Sequence, residues 1–183
     1  TRCLSDWSSD VCSSDLGYRI PGAFDTFRQE QADEQVKGTW EAHSERQEAS
    51  AQVAERLGVE KGEQVMCTRY LFRTEGRPMM LSTSWEPLSL TGRTPVMLPE
   101  EGPLGGRGVV ERMAAIDVVV DNITEEVGAR PGLAGEVAAL GGVPGRTMLV
   151  IIRTFYAGRR AVETAEVVVP ADSYRAVYHL PVR

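Results

Sequence analysis

The sequence is poor in the residues that build metal centres and disulfide frameworks. It has three cysteines and two histidines, His43 and His179, and none of them shows the spacing of a zinc site or a disulfide scaffold. The glycine-rich fingerprints of nucleotide-binding loops are also missing. The sequence therefore predicts no metal and no cofactor, and its unpaired cysteines indicate a reducing compartment, the cytoplasm.

An excess of positive charge is lacking as well. The chain carries 20 Lys and Arg against 26 Asp and Glu, a formal net charge of −6, whereas nucleic-acid-binding modules present a basic face. The chain alone is therefore not expected to bind DNA well. No apolar run approaches the roughly 20 residues that a membrane helix needs, so no membrane contact is predicted. The start also lacks the basic and apolar regions of a signal peptide.

No arrangement of a nucleophile and a base stands out. There is no Ser-His-Asp or Cys-His combination with supporting residues, and Cys67 lies in the middle of a predicted strand, where a core position is the simpler interpretation. Glu126 or Glu163 could serve in general acid–base chemistry, but the sequence offers no further residue that supports this role. The sequence therefore does not predict an enzyme.

One pattern occurs twice, at residues 57–87 and 140–170. Each copy begins with Leu-Gly, places an arginine in an apolar run, turns at Gly-Arg and ends at proline. A segment with helical apolar spacing precedes each copy. The unit predicts a helix, a strand, a hairpin and a second strand, which suggests two half-sheets related by a pseudo-twofold around one core. The expected fold is α+β, with an antiparallel sheet flanked by helices.

The first hairpin, at residues 64–73 and 79–86, has two different faces. One face of the return strand is apolar, and the other bears small hydroxyl side chains. Such a sheet either covers a core and lines a cavity, or covers a core and faces water. Further strands are expected at 37–48, 118–129, 147–155, 162–169 and 174–180. Glu163 and Glu166 lie within one of them, so each needs a partner, a polar cavity or an exposed edge.

A long loop rich in proline and glycine spans residues 88–106 and leads through Gly-Gly-Arg-Gly into an apolar-periodic helix. Long loops inside compact domains are often lids or binding loops. Free N–H groups at the start of a helix, together with the fork of Arg107, suit a carboxylate or a phosphate. The alternative is a plain joint between loop and helix with Arg107 facing solvent.

The first residues differ from the rest of the chain. Residues 1–16 have no apolar period, and residues 6–16, DWSSDVCSSDL, resemble the translation of a common sequencing-library adapter. They are interpreted as an artefactual segment, or else as a disordered Ser- and Asp-rich tail. Residues 17–36 are polar and weakly patterned and are interpreted as a linker remnant. The folded domain is expected at 37–183.

Several segments together resemble the UTRA domain, the effector-sensing part of HutC-type regulators of the GntR family. They are Leu-Gly at 57–58, RYLFRTEGRPMMLSTSWEP, GPLGGRGVVERM, RTFYAGRRAVET and VPADSYRAVY. The resemblance covers roughly residues 37–182 in order. It implies a chorismate-lyase-like fold with a small-molecule pocket in a homodimer. Operator DNA would be bound only through an N-terminal winged helix-turn-helix domain, which is missing from this sequence.

The resemblance also implies where an effector would bind. The first hairpin contributes four positions, the loop before the central helix contributes one, and the late return strand contributes one. These ligand-binding positions are Tyr70, Phe72, Ser82, Ser84, Arg107 and Glu163. Several relatives have an arginine in place of Tyr70 and a carboxylate in place of Ser82, which argues against assuming a sugar-phosphate ligand. A flatter, more apolar molecule is one alternative.

Three functions remain open from the sequence. The resemblance favours a small-molecule sensor and dimerisation domain of a bacterial transcriptional regulator. A lyase-type enzyme on the same fold is the alternative, since a fold alone does not decide a function. A dimerisation module with a vestigial pocket is the third.

Overall fold

The computed structural model describes residues 10–12, 19–21, 38–174 and 176. The strands in these ranges are β1 (Asp10–Cys12), β2 (Arg19–Pro21), β3 (Gly38–Glu48), β4 (Gln64–Thr74), β5 (Arg77–Pro87), β6 (Asn122–Pro131), β7 (Thr147–Ala157) and β8 (Arg160–Pro170). The helices there are α1 (Ala51–Leu57), α2 (Leu88–Thr91), α3 (Val109–Ala114) and α4 (Ala134–Ala139).

Six strands form one antiparallel sheet in the order β3-β4-β5-β8-β7-β6. The expected α+β fold, an antiparallel sheet with flanking helices, is confirmed. Each half of the sheet comes from one β-α-β-β stretch of chain, and the halves meet where β5 pairs with β8. A pseudo-twofold relation between the halves stays a prediction. The short strands β1 and β2 pair separately and were not expected from the sequence.

Local sequence explains the first half of the sheet. Ser50 caps α1 because its hydroxyl accepts a hydrogen bond from the Val53 N–H at 3.3 Å, and Gly58 ends the helix at φ 65°. The β4–β5 hairpin turns at Glu75 and Gly76, which both have positive φ, as a tight two-residue turn requires. The predicted cap, helix and hairpin are thus confirmed.

One face of the sheet packs against helices, and we call it the helix-covered face. Val53, Ala54 and Leu57 of α1 form a cluster with Val65 of β4 and Ala161 of β8. On the other half of this face, α4 packs through Val137 onto a second apolar cluster, which also contains Leu140, Met148 and Val168. These clusters are apolar, so burial of hydrophobic surface holds the helices in place.

The opposite face is covered by residues 92–108 and α3, and we call it the loop-covered face. Val109 and Met113 of α3 pack on Phe155 of β7. Farther along this face, the Trp40 indole N–H donates to a Glu100 carboxylate oxygen at 2.9 Å, which ties the loop to β3. The loop and α3 together therefore lie over strands from both halves of the sheet.

Two strand predictions were incomplete. The valines at 118–120 precede β6 rather than opening it, because the chain turns back at Asp117, φ 61°, and the Val118 N–H bonds to the Met113 carbonyl. Val118 and Val120 pack beside α3 instead. Tyr174, the first residue of the predicted last strand, is buried outside any strand, and 175 and 177–180 lie outside the described residues.

Candidate functional site

A buried ion pair lies at the centre of the loop-covered face. The guanidinium of Arg112, on α3, donates to both carboxylate oxygens of Glu86, on β5, at 2.6 and 2.9 Å. Arg112 also donates to the Val96 carbonyl oxygen in the covering loop. The two charged side chains are only 2% and 1% exposed. This fork connects the helix, the loop and the sheet through one side chain.

Burial works against the charge of Arg112, but the Glu86 carboxylate more than offsets it. The pKa of Arg112 therefore stands above its usual value, with a further contribution from Glu163. An arginine in this setting is permanently charged. Because its fork is already occupied by Glu86, the site does not present Arg112 as a free cation to a ligand.

The carboxyl group of Glu163, on β8, lies beside this pair and is 5% exposed. Burial raises the pKa of Glu163 to about 8, and the negative charge of Glu86 and a hydrogen bond with Glu86 act in the same direction. Arg112 and Arg153 lower it, but less. At neutral pH the group is therefore mainly a neutral carboxylic acid, able to donate one hydrogen bond and to accept others.

A second buried arginine follows on β7. Arg153 is 2% exposed and pairs with Glu125 of β6, whose side chain is 11% exposed. Arg153 lies next to Ala165 in the β7–β8 register. Ala165 in turn lies opposite Ser84 of β5. Across the floor of the loop-covered face, the small residue Ala165 thus lies between a charged side chain, Arg153, and a hydroxyl side chain, Ser84.

A row of small polar side chains crosses the first half of the same face. Ser44, Thr68 and Ser84 are consecutive partners across β3, β4 and β5. The hydroxyls of Ser44 and Thr68 are 2.9 Å apart and hydrogen bonded. Hydroxyl groups on small side chains can orient a polar molecule.

Aromatic side chains bound this row on one side. The rings of Tyr70 and Phe72 are stacked with centroids 5.7 Å apart, and both belong to an apolar cluster that includes Met80 and Tyr174. Burial raises the pKa of Tyr70 well above its usual value, and the charges of Glu100, Glu163 and Glu86 add to this. The phenol therefore stays protonated and can donate a hydrogen bond among these carboxyl groups.

The structure brings five of the six sequence-predicted site residues to one face. Tyr70 lies opposite Ser82, which lies opposite Val167, and Ser84 lies one row away, next to the row of Glu163. Arg107 is apart from them. Its side chain is 51% exposed and forms an ion pair with Glu111, one helical turn later, at 3.1 Å.

Sequence reasoning missed Glu86 and Arg112 as members of this cluster. The available signal was the position of Arg112 within α3, between the core residues Val109 and Met113. An arginine on the apolar side of a helix needs a buried partner. Glu86 lies on the same face of its strand as Ser82 and Ser84, which made it a candidate.

Glu126 and Glu166, two other carboxylates from the sequence, lie on the helix-covered face. Glu166 is 3.5 Å from Arg130 and 3.9 Å from Arg56, so the expected partner exists. Glu126 lines a polar groove of about 400 Å³ between α1 and the strands β6 and β7, together with Gln52, Glu55, Arg56, Thr124, Ile152, Thr154 and Tyr156.

Within the described ranges, no three His, Cys, Asp or Glu side chains converge as a metal site. Among the helices of the same ranges, none has the length and apolar character of a membrane span.

Comparisons with known proteins agree with this architecture. The sequence profile of the UTRA domain matches residues 39–175. A crystal structure of a protein assigned to the GntR family of transcriptional regulators is 72% identical, with a TM-score of 0.81. That match covers 86% of this chain and 66% of the other, so this chain spans less than two thirds of that relative.

Two more distant structures share the fold. One is the ligand-binding domain of a regulator assigned to the GntR family from Bordetella bronchiseptica, with 22% identity and a TM-score of 0.65, covering 79% of this chain and 92% of that one. The other is the effector domain of PhnF from Mycobacterium smegmatis, with 17% identity and a TM-score of 0.69, covering 86% and 96%. No curated protein sequence gives a significant match. On the extent of the profile match, the chain belongs to the UTRA domain family.

Proposed function

We propose that this chain is the effector-sensing domain of a bacterial GntR-family transcriptional regulator and that the effector binds on the loop-covered face. The observation that carries the proposal is the buried polar row there. Ser84 and Glu163 are each 5% exposed. Polar side chains seldom lie on a sheet face that packs only for stability, whereas a few placed hydroxyl and carboxyl groups are what orients a bound small molecule.

The proposed ligand contacts are Tyr70, Phe72, Ser82, Ser84 and Glu163, with Arg112 and Glu86 fixing the covering elements. Glu163 as a neutral acid and the nearby hydroxyls suit a polar ligand with both donors and acceptors, and the Tyr70–Phe72 stack suits a flat or apolar part. Arg107 remains in the proposal as an outer contact for an anionic group, since its guanidinium is exposed.

A response to ligand requires two states with unequal affinity for it. Arg112 offers a point of coupling, because its guanidinium holds both Glu86 on the sheet and the Val96 carbonyl in the loop. A ligand that competes for either partner would change the position of the loop and α3. In the full regulator, we propose that this change alters operator affinity in a cytoplasmic homodimer. DNA would be bound by a winged helix-turn-helix domain outside this sequence.

We propose binding without catalysis. A protonated Glu163 beside ionised Glu86 is an arrangement that could transfer a proton, so a lyase-type reaction on the same fold is the second candidate. The two differ in outcome, because a sensor returns its ligand unchanged. Mass spectrometry of each bound compound after prolonged incubation separates them.

The first experiment is a thermal-shift screen of the chain against sugar phosphates, amino acids, carboxylates and apolar antibiotics. A ligand at 100 times its dissociation constant adds about 2.7 kcal/mol to the free energy of unfolding. Ser82→Leu should abolish the shift by filling the row, whereas Thr83→Leu, on the opposite face of the same strand, should retain it. An equal loss in both variants would contradict the proposed face. Loss in Arg107→Ala would assign an anionic contact to the loop.

A further inference from the structure

The sheet has two edges, and they differ in charge. Among the strands that the structure describes, β3 and β6 each pair with a neighbour on one side only. On β3, Glu45 and Glu41 form cross-strand ion pairs with Arg69 and Arg73 at 2.6 and 3.2 Å. The centre of β6 is Val127-Gly128-Ala129, which is exposed and uncharged. Charged edges resist pairing with another chain, whereas an exposed uncharged edge is a template for it.

Main-chain geometry shows which groups of β6 point outwards. The Gly132 N–H, just after β6, donates to the Arg146 carbonyl beside β7 at 2.9 Å. Because hydrogen-bonding direction alternates along a strand, the even-numbered residues of β6 bond to β7. The N–H groups of Val127 and Ala129 therefore point away from the sheet. Pro131, which has no N–H, also falls at an outward position, where an edge strand tolerates proline.

We propose that a second copy of this chain binds at this edge, with the two β6 strands antiparallel about a twofold axis at Gly128. The two six-stranded sheets then become one continuous sheet. This inference rests on the homodimer in the proposed function and names the surface that forms it. A twofold axis makes the interface use the same strand in both copies.

The register about Gly128 is self-complementary. Val127 lies opposite Ala129 of the second copy, and each exchanges both main-chain hydrogen bonds with the other. Glu126 lies opposite Arg130, so opposite charges face each other across the axis on the same side of the sheet. Arg130 already contacts Glu136 and Glu166, and its side chain is still 31% exposed. Centring on Val127 or Ala129 instead would place Glu126 opposite a glycine.

Gly128 suits the axis position. It falls in a pair without mutual hydrogen bonds, where the two Cα atoms approach to about 4.5 Å. A Cβ atom added at Gly128 meets no atom within 4 Å, and its φ is not in the left-handed region. A cysteine therefore fits there without strain, and two such cysteines would be within the Cα separation that a disulfide requires.

Disulfide trapping tests this geometry directly. Gly128→Cys would be prepared in a chain with Cys3→Ser and Cys12→Ser, leaving Cys67, which is buried. Under oxidised glutathione, we expect a covalent dimer on non-reducing gels. The matched control is Ala42→Cys on the charged β3 edge, in the same background, which should stay uncrosslinked. Equal cross-linking of both variants, or none at Gly128→Cys, would overturn the proposed register.

Sedimentation equilibrium adds a test that needs no cysteine. Glu126→Arg places like charges opposite each other, and we expect the dimer dissociation constant to rise at least tenfold. Glu41→Arg on β3 should leave it within twofold. A dimer that is not weakened by Glu126→Arg and not trapped by Gly128→Cys would show that the β6 interface is wrong. The homodimer of the proposed function would then stand, with another surface forming it. A chain that is monomeric at about 100 µM would contradict both the β6 interface and the homodimer. Effector binding is tested separately by the thermal-shift screen.

Discussion

Each face of the sheet holds a short helix, but the interactions that hold it differ: apolar packing on one face, and an ion pair together with apolar packing on the other. On the helix-covered face, α1 packs through apolar side chains such as Val53 and Leu57, which are 5% and 3% exposed. On the loop-covered face, α3 is held by Arg112 and Glu86 as well as by Met113. Burying an apolar side chain stabilises by about 1.5–3 kcal/mol, whereas a buried ion pair often gains nothing over an apolar pair. The difference indicates that the first face maintains the fold and the second retains polarity for another purpose.

Removing one member of the buried ion pair should produce the largest effect. In Arg112→Met, Glu86 is left charged and buried without its partner, which costs about 3–5 kcal/mol in free energy of unfolding. Urea denaturation followed by circular dichroism measures it. The double variant Arg112→Met/Glu86→Leu should recover most of the loss. A double variant no more stable than the single one would show that the pair itself stabilises the fold.

The helix-covered face should respond as an ordinary core. Leu57→Ala removes a buried side chain at the end of α1 and leaves a cavity, which costs about 2–5 kcal/mol. The same denaturation measurement applies, with Glu55→Ala on the exposed side of the helix as the control. This loss should be insensitive to pH between 6 and 9, because the substitution removes no titratable group. A marked pH dependence of this loss would contradict the description of the helix-covered face as an apolar core.

Glu163 should make stability depend on pH. Its folded-state pKa of about 8 lies above the unfolded value of about 4.3. The folded state therefore holds the proton more tightly, and the contribution of Glu163 to stability is present in full below the unfolded value. It is lost at up to about 1.4 kcal/mol per pH unit as pH rises towards 8. Glu163→Gln should flatten the profile between pH 6 and 8. An unchanged slope in that variant would mean that another group titrates.

The smallest effect is expected at Arg107. Its ion pair with Glu111 is about half exposed on both sides, and exposed pairs one helical turn apart contribute about 0.3–0.5 kcal/mol. Arg107→Ala should therefore change the free energy of unfolding by no more than that, as measured by urea denaturation. A loss above about 1 kcal/mol would show that Arg107 contributes to the packing of the loop.

Local signals predicted much of the fold. Ser50 and Gly58 mark the ends of α1, and Glu75-Gly76 marks the first hairpin, because each position has a specific backbone requirement. The alternation along β4 and β5 placed Tyr70, Ser82 and Ser84 on one face. The valines at 118–120 were misassigned because a strand-like composition does not exclude other roles: Val118 and Val120 pack beside α3, and Val119 is exposed.

The candidate site was less accessible to sequence reasoning because its contacts span long distances along the chain. Arg112 and Glu86 are 26 residues apart, and Trp40 and Glu100 are 60 apart. Neither pairing has a local spacing that could reveal it. Arg107 stood out because it follows glycines before a helix, yet the buried arginine of that region is Arg112, which the apolar spacing of α3 places inward.

The fork of Arg112 also has a dynamic consequence. It joins Glu86, at the end of β5, to α3 and, through Val96, to the middle of the segment between them. Residues 86–112 thus form a ring closed by one side chain, and opening the ring restores the conformational entropy of the whole segment. Amide hydrogens of this segment should therefore exchange with solvent as one cooperative unit. A perturbation at Arg112 would release the segment as a whole rather than one residue at a time.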